Sequence, residues 1–524
     1  MRPLFSPPWH RRCQPHVATR KGRDVAARVA PVTRILSSAL FAALLLSATR
    51  AEAEVAEPSG RADEAFDFMN LLAHHGLHDL NDEYWNAYGQ ITDIWSLKLG
   101  FHAPYTNNLV DKSVNPQGTY SLSTSQELSF TETATLFLGL RLWPGAEFYA
   151  VPELIGENAL SGLKGLGGAI QNFELQKNGA LVPSPYLSRS YLRQTIDLGG
   201  DRVDKTSDPM QLARVDHRRR LVLTLGNFSI LDFFDKNSVA GDLRRSFFNM
   251  AFLTYAAYDF AADARGYAWG GIAELDYDDW AFRVGRMTPP KDPNQLPLDF
   301  RLNQVYGDQA EVEHAHELFG HTGAVRLLGY RNVEFMGRFA DAIAKYASDP
   351  VDDNAAKCGS LFNYGSTNDK APDLCFARRS NVKVGIGLSV EQQIVDDVGV
   401  FFRGMYSDGQ TEVYSYTSTD RSVSFGGVAK GTVWKRPADT IGIGWSQGWI
   451  SQIHAEYLAM GGIDGFIGDG KISQASEGVF EAFYSFSFGS SAWFSFDYQR
   501  IWNPAYNSAR GPVNIFGLRA HVEF

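Results

Sequence analysis

Histidine-rich stretches are the first candidates for chemistry in this sequence. HELFGH, residues 316–321, is close to the HExxH pattern that binds zinc on one face of a helix. Its histidines are five residues apart, which places them about 140° apart around a helix and not on one face. Together with His314, these two histidines would bind a metal only adventitiously. The same holds for the histidines of HHGLH, residues 74–78. We therefore expect a polar loop that leads into a strand, with no metal or other cofactor.

Other patterns that often signal catalysis are also weak. GLKGLGG, residues 162–168, follows no predicted strand and lacks the GK[ST] ending of a phosphate-binding loop, so we expect a flexible loop. Asp276, Asp278 and Asp279 suggest a glycosidase, but that reaction needs two carboxyl groups that converge on one cleft, and these lie in a turn. The sequence shows no nucleophile elbow and no defensible triad, and it does not predict an enzyme.

Hydrogen bonding to a polar ligand fits the arginines and carboxylates better than catalysis. Guanidinium groups donate hydrogen bonds to hydroxyls, and carboxylates accept hydrogen bonds from them. The polar faces of predicted strands carry Arg189, Arg193, Glu274, Arg283 and Arg403. Loops that could fold inward as a constriction carry Glu153, Asp235, Arg244 and Arg245. The alternative is that these charges only solvate the wall of a pore and pair with one another.

The elements that position these residues begin with an export signal. Basic residues precede the apolar run ILSSALFAALLLSA, and Ala51-Glu52-Ala53 has the form of a cleavage site. A membrane anchor is the alternative, but a run of about 14 residues is shorter than the roughly 20 that span a bilayer. We predict a signal peptide at 1–53, a short segment at 54–82 and the main domain at 83–524.

Charge and cysteine content fit an exported protein. The whole chain has a formal net charge of −10, and residues 1–53 hold more basic than acidic residues, so the exported part is more acidic still. No basic stripe appears, which argues against a nucleic-acid partner. Cys358 and Cys375 flank a stretch rich in Gly, Asn and Asp, and we predict that they form a loop-closing disulfide. A zinc site would need a CxxC pair or nearby histidines.

Alternation of apolar and polar residues is the dominant pattern after residue 53, and it predicts strands with one apolar face. Because single-chain outer-membrane barrels have even strand numbers, fifteen recognisable segments suggest sixteen strands, with Phe247–Tyr258 as the omission. Tight turns are expected at 278–279, 331–332 and 490–491, and long loops at 142–185, 289–318, 345–379 and 450–477. The segments are 84–101, 127–141, 186–198, 219–228, 265–277, 279–288, 319–330, 332–344, 380–391, 397–408, 421–434, 439–449, 478–489, 491–502 and 513–524.

A soluble sandwich also alternates, so the residue types must decide between the two folds. Aromatic residues at strand ends are typical of the girdles of a transmembrane barrel: Trp85, Trp95, Tyr277, Trp280, Tyr406 and Trp434. In the last strand, NIFGLRAHVEF, one face is apolar and the other carries Arg519, His521 and Glu523. Its final residue, Phe524, resembles the signal that outer-membrane proteins present to their insertion machinery. We predict an all-β, antiparallel up-and-down transmembrane barrel.

Five segments, together with the terminal strand, have sequences that are typical of one protein family. They are RLWPGAEFYAVPEL (141–154), RSYLRQTIDLGG (189–200), LGNFSILDFFDKNSVAGDLRRSFFNMAF (225–252), ADARGYAWGGIAELDYDDWAFRVGRM (262–287) and YLAMGGIDGFIGDG (457–470). Together they resemble the carbohydrate-selective porin family, the OprB family. The resemblance implies a sixteen-stranded outer-membrane barrel through which sugars diffuse passively. The loop after Glu153 and the segment HAHELFGHTG depart from the family pattern, so the identity of the sugar stays open.

Two rivals remain beside a porin for monosaccharides, small oligosaccharides or polyols. The same barrel would carry organic acids if arginine outweighed carboxylate at the constriction. A secreted β-rich carbohydrate-active enzyme would be soluble and would hold paired carboxylates in a cleft. By analogy with many porins of this size, we expect a homotrimer in the lipid of the outer membrane.

Overall fold

Sixteen antiparallel strands form a closed barrel in the computed structural model of the chain, which describes residues 68–104, 120–175, 179–242, 244–348, 371–470 and 472–524. All of them belong to the unit Ala56–Phe524. Each strand pairs with its neighbours in sequence, and β1 pairs with β16 to close the ring. The strands are β1 (Trp85–Lys98), β2 (Glu127–Trp143), β3 (Ala146–Asn158), β4 (Ser184–Lys205), β5 (Arg214–Phe228), β6 (Ala268–Tyr277), β7 (Trp280–Met287), β8 (Tyr306–Leu318), β9 (His321–Gly337), β10 (Arg378–Val395), β11 (Val398–Ser407), β12 (Arg421–Gly431), β13 (Arg436–Trp449), β14 (Glu477–Phe488), β15 (Ala492–Trp502) and β16 (Val513–Glu523).

Most outward-facing side chains of the strands are apolar and most inward-facing ones are polar, as the sequence predicts. In β5 the side chains of Leu223 and Leu225 are 40% and 67% exposed, whereas Thr224 between them is buried. In β16 Phe516 and Leu518 point outward, and Arg519 lies fully inside. A soluble sandwich would place these leucines and phenylalanines in its core. Their outward position therefore identifies a barrel whose outer wall contacts lipid.

Connections of two lengths alternate around the barrel. Within the described residues, short turns join the strands at one end, which we call the turn rim: 144–145, 206–213, 278–279, 319–320, 396–397, 432–435 and 489–491. Longer connections leave the opposite end, the loop rim. In outer-membrane barrels the short turns face the periplasm and the long loops face outward. The predicted turns at 278–279 and near 490–491 are confirmed.

Three strand predictions were wrong for identifiable reasons. Residues Ala146–Asn158 form β3 although Pro152 interrupts their pattern, because the proline lies at an irregularity of the β3–β4 register. Residues Tyr306–Leu318 form β8, whose outward face mixes Asp308 with apolar residues and so gave no clear alternation. The sequence around Arg331-Asn332 suggests a turn, but β9 runs straight through it and turns earlier, at 319–320.

The connection between β5 and β6, residues 229–267, folds into the barrel, and we call it the inward loop. Its Phe247 and Phe252 stack with ring centroids 4.8 Å apart. Phe247 also packs edge-on against Phe401 of β11 and Phe483 of β14 inside the wall. The segment Phe247–Tyr258, which alternation suggested as a strand, is thus the apolar part of this loop, and its aromatic residues fill the lumen.

Carboxylates of the wall hold the inward loop by its backbone. Glu481 accepts hydrogen bonds from the N–H groups of Phe248 (2.5 Å) and Asn249 (3.0 Å), and Glu311 accepts one from Asp235 (2.7 Å). Because backbone N–H groups buried without partners are costly, these bonds fix the path of the loop through the lumen.

The glycine-rich stretch 162–168 is fixed in a similar way. The N–H groups of Gly167, Gly168 and Ala169 all donate to the carboxylate of Glu477 in β14, at 3.0, 2.7 and 2.8 Å. A Cβ atom at Gly168 would lie 2.4 Å from the hydroxyl oxygen of Thr419, so only glycine fits. The stretch is therefore an ordered anion cradle, and the anion that occupies it is a side chain of the protein itself.

Three short helices accompany the strands: α1 (Phe68–His74) before β1, α2 (Phe339–Ser348) after β9, and α3 (Gln452–Ala459) after β13. Among the described residues, no helix is long and apolar enough to cross a membrane. Cys375 is disulfide-bonded. Its predicted partner, Cys358, lies outside the described residues, so that pairing stays a prediction.

His454 contacts residues from three connections of the loop rim, those between β9 and β10, β11 and β12, and β13 and β14. In α3 its ring is buried, with Nδ1 3.0 Å from Asp420 and Nε2 3.2 Å from Asp464. The ring of Phe339 from α2 stacks on it at a centroid distance of 4.3 Å. Burial by itself would lower the pKa of His454, but Asp420 and Asp464 outweigh it and raise that pKa to about 9.

We expect the loop rim to lose stability in alkali. A histidine whose pKa is raised from about 6.5 to about 9 contributes stability that is fully present below pH 6.5 and disappears as the pH rises through 9. Thermal unfolding of the detergent-purified protein should show a falling Tm between pH 7 and pH 10. His454→Gln should be less stable at pH 7 and should lack this part of the pH dependence. Parallel curves for the two proteins would contradict the ion-pair role of His454.

Candidate functional site: two chambers in the lumen

Two cavities lie inside the barrel on either side of the inward loop. The outer chamber, of about 490 Å³, extends toward the loop rim and is lined by Tyr267 and Tyr416. The inner chamber, of about 510 Å³, extends toward the turn rim and is lined by Asp278 and Asp279. Both chambers are lined by the same four residues, which we call the shared wall: Pro209, Met210, Asp232 and Lys236.

The outer chamber brings together a guanidinium, a carboxylate and aromatic rings. Arg189 of β4 binds Asp232 through two hydrogen bonds of 2.7 Å and lies over the ring of Tyr267 at 5.3 Å. Glu153 accepts hydrogen bonds from the hydroxyls of Thr135 (2.9 Å) and Tyr186. The prediction that Glu153 lies in a loop was wrong, since it projects inward from β3. Donors, acceptors and aromatic faces thus meet in one space, as a polyol site requires.

The two neighbouring arginines of the inward loop have different positions. Arg244 lines the outer chamber, forms an ion pair with Glu174 and lies over the ring of Phe173. Arg245 lines neither chamber: it pairs with Asp242 at 2.8 Å and lies over Trp493. The structure therefore brings only Arg244 of this pair into the chambers.

Asp235 and Arg403 hold the inward loop in place. Their side chains form an ion pair of 2.9 Å and are 0% and 1% exposed. Arg403 also donates to the backbone oxygen of Phe252 at 2.9 Å, and Thr254 donates to Asp235 at 2.7 Å. Arg403 lines neither chamber, so its contact with the solute would be indirect, through the position of the inward loop.

Charged side chains that pair with one another line the wall of the inner chamber. Arg283 of β7 bonds to Glu274 (2.5 Å), Glu311 (2.9 Å) and Glu313 (2.6 Å). Arg193 of β4 donates to the backbone oxygen of Met210 at 3.0 Å. Each guanidinium keeps its donors in a fixed direction, so the wall offers a hydrogen-bonding surface with little unbalanced charge.

The sequence also matches a known family. The sequence model of the family described as carbohydrate-selective porin, OprB family, matches residues 119–524, which is most of the chain. The chain belongs to the OprB family. It is a carbohydrate-selective outer-membrane porin, a channel and not an enzyme. Among curated proteins, none matches the sequence significantly.

Solved structures support the fold of this OprB-family porin. The high-pH structure of Pseudomonas putida OprB is similar with a TM-score of 0.60 and 14% identity, covering 84% of this chain and 94% of that one. Two further structures are less similar, and no conclusion rests on them. The low-pH structure of P. putida OprB has a TM-score of 0.42 and 12% identity, covering 84% of this chain and 92% of that one. The outer-membrane channel DcaP of Acinetobacter baumannii has a TM-score of 0.41 and 11% identity, covering 84% of this chain and 97% of that one.

Two lysines of the porin were missed by sequence reasoning. Lys236, in the inward loop, belongs to the shared wall, and Lys205, at the end of β4, lines the inner chamber. Within the described part of the chain, neither ammonium group has an ion pair or a hydrogen bond, whereas the nearby arginines are bonded. Burial in the lumen lowers the pKa of Lys236. The only signal in the sequence was a lone lysine in the aromatic segment LDFFDKNS.

The three histidines of the segment 314–321 have separate partners. His316 bonds to Gln392 at 2.9 Å, His314 packs against Trp280 at a centroid distance of 4.4 Å, and His321 lies 3.6 Å from Asp396. His314 and His316 lie in β8, and His321 is the first residue of β9. Within the described ranges, no group of three or more His, Cys, Asp and Glu side chains could hold a metal ion.

Proposed function

We propose that uncharged monosaccharides, small oligosaccharides and polyols cross the barrel through the outer chamber, past Lys236 and then through the inner chamber. The contacts would come from Arg189, Glu153 and Arg244 in the outer chamber and from Arg193, Glu274 and Arg283 in the inner one. The observation that carries this proposal is the pairing of chamber arginines with carboxylates, as in Arg189–Asp232 and Arg283–Glu274. A paired guanidinium donates to hydroxyls without attracting anions strongly.

Organic acids are the second candidate, because the ammonium groups of Lys205 and Lys236 have no carboxylate bonded to them within the described residues. Single-channel conductance of the detergent-purified protein in a planar bilayer separates the two solutes. Current that falls with millimolar glucose and responds weakly to gluconate supports the sugar proposal. Block by gluconate alone would reject it in favour of acids.

Replacing Lys236 with methionine tests the shared wall directly. Methionine is of similar length but removes the charge and its donors, and hydrogen bonds to charged groups contribute about 1.5–3 kcal/mol. We expect the glucose concentration for half-block to rise by about ten- to a hundredfold, with assembly unchanged. Lys430→Met is the matched control, since that exposed lysine lies at the turn-rim end of β12, away from both chambers. Equal shifts in the two variants would remove Lys236 from the solute path.

We also propose that residues 1–53 direct export and that the last strand is the signal read by the insertion machinery. Residues 1–53 lie outside the described residues. Phe524 donates to the backbone oxygen of Gly89 in β1 at 2.9 Å, and Gly89 donates back at 2.7 Å. A Cβ atom at Gly89 would lie 2.4 Å from the ring of Phe524. This fit at the seam supports a role for Phe524 in closing the barrel; a homotrimer stays a prediction.

A further inference from the structure

An arginine cluster lies on the lipid-facing wall near the loop rim. Arg286 of β7, Asp308 of β8 and Arg331 of β9 are opposite one another across the sheet. All three follow the outward alternation of their strands. Arg286 binds Asp308 through two bonds of 2.7 Å and lies over the ring of Tyr306 at 3.8 Å. Arg331 donates to the hydroxyl of Tyr306 at 2.8 Å and has no carboxylate partner among the described residues.

A second outward guanidinium lies three strands away. Arg421 begins β12 and lies over the ring of Tyr406 at 4.9 Å, with Trp449 opposite it on β13. It too has no ion pair in the described part of the chain. At a strand spacing of about 4.8 Å, β9 and β12 are roughly 14 Å apart along the wall. Val384 and Ile386 fill the outward face between them.

The cluster is confined to one side of the barrel. Near the loop rim, the outward faces of β1 to β6 carry no arginine or lysine, and their exposed large apolar side chains are Trp95, Leu128, Leu154, Leu187, Leu225 and Trp269. Guanidinium groups in a lipid-facing wall are costly unless they reach the polar headgroups, and aromatic rings mark that level of the bilayer. Two of the outward arginines near the loop rim that lack an ion pair in the described chain, Arg331 and Arg421, thus lie on β7 to β12, and Arg500 on β15 stands apart from them.

We propose that Arg331 and Arg421, with Arg286 and the rings of Tyr306 and Tyr406, bind the phosphate groups of an anionic glycolipid in the outer leaflet. The planar guanidinium fork matches phosphate oxygens and is the residue type that binds them in two-point contacts. Asp308 neutralises Arg286, which leaves Arg331 and Arg421 as the free charges. The inference is independent of the solute, because both side chains point away from the lumen.

Lipid binding by the full, detergent-purified porin tests the proposal. Native mass spectrometry would follow titration with bisphosphorylated lipid A and with the same lipid after enzymatic dephosphorylation. We expect wild type to prefer the phosphorylated lipid, and Arg331→Gln/Arg421→Gln to bind it about thirty-fold more weakly, as each surface arginine contributes about 1 kcal/mol toward anionic lipid. Equal binding of the two lipids, or unchanged binding by the double variant, would overturn the proposal.

Arg500→Gln is the matched control. Arg500 also lies outward near the loop rim, over the ring of Trp502 at 5.3 Å, but on β15, outside the cluster, and its Nε is buried. We expect it to change lipid binding less than twofold. A loss equal to that of the double variant would show general charge attraction and not a localised site. Unchanged sugar-blocked conductance in all variants shows that they are folded.

Discussion

Arg403→Ala should destabilise the barrel by about 3–5 kcal/mol and increase its conductance. Arg403 is 1% exposed and forms the buried ion pair with Asp235 of the inward loop. Removing the guanidinium leaves the carboxylate of Asp235 buried without its charge partner and frees the backbone oxygen of Phe252. Urea unfolding in detergent measures the first effect, and single-channel recording measures the second.

Two comparison variants distinguish the effect of breaking this ion pair from the effect of losing a positive charge elsewhere. Arg219→Ala removes an arginine that pairs with Asp278 at the exposed turn rim, at 2.8 Å, and should leave the free energy of unfolding nearly unchanged. Asp235→Asn combined with Arg403→Met removes both charges and should recover much of the stability, because no unpaired charge stays buried. If Arg403→Ala unfolded like wild type, the inward loop would not depend on this pair.

Leu223→Arg should cost about 2–4 kcal/mol, the range for an arginine that faces lipid near the bilayer midplane. Leu223 is 40% exposed on the outer wall and pairs with Ala273 at the middle of β6. Heat-dependent migration on gels and urea unfolding after refolding into lipid vesicles report the loss of assembled barrel.

The neighbouring residue gives the matched control for this prediction. Val222 faces the lumen and lines the inner chamber, so Val222→Arg should leave assembly nearly intact and reduce conductance instead. Normal assembly of Leu223→Arg, or a failure of both variants, would contradict the assignment of Leu223 to the lipid-facing wall.

The sequence by itself determined the fold class and the orientation of side chains in most strands. The two-residue period of a strand sends successive side chains to opposite faces, so Leu223 and Phe516 could be placed outside, and Arg283 and Arg519 inside, without any contact being known. The same rule placed Arg189 and Arg193 in the lumen. It failed for β3 and β8, where a proline and an outward aspartate weaken the pattern.

Only the tertiary structure decided which inward residues line the two chambers. Alternation shows which face of a strand a side chain occupies, but not how far into the lumen it reaches. It also cannot identify ion-pair partners such as Arg403 and Asp235, which are 168 residues apart in sequence. The position of the inward loop depends on backbone bonds to Glu311 and Glu481 from distant strands, which no local pattern encodes. For the same reason Lys236 looked like an ordinary loop residue. Its place in the shared wall follows from where the loop packs.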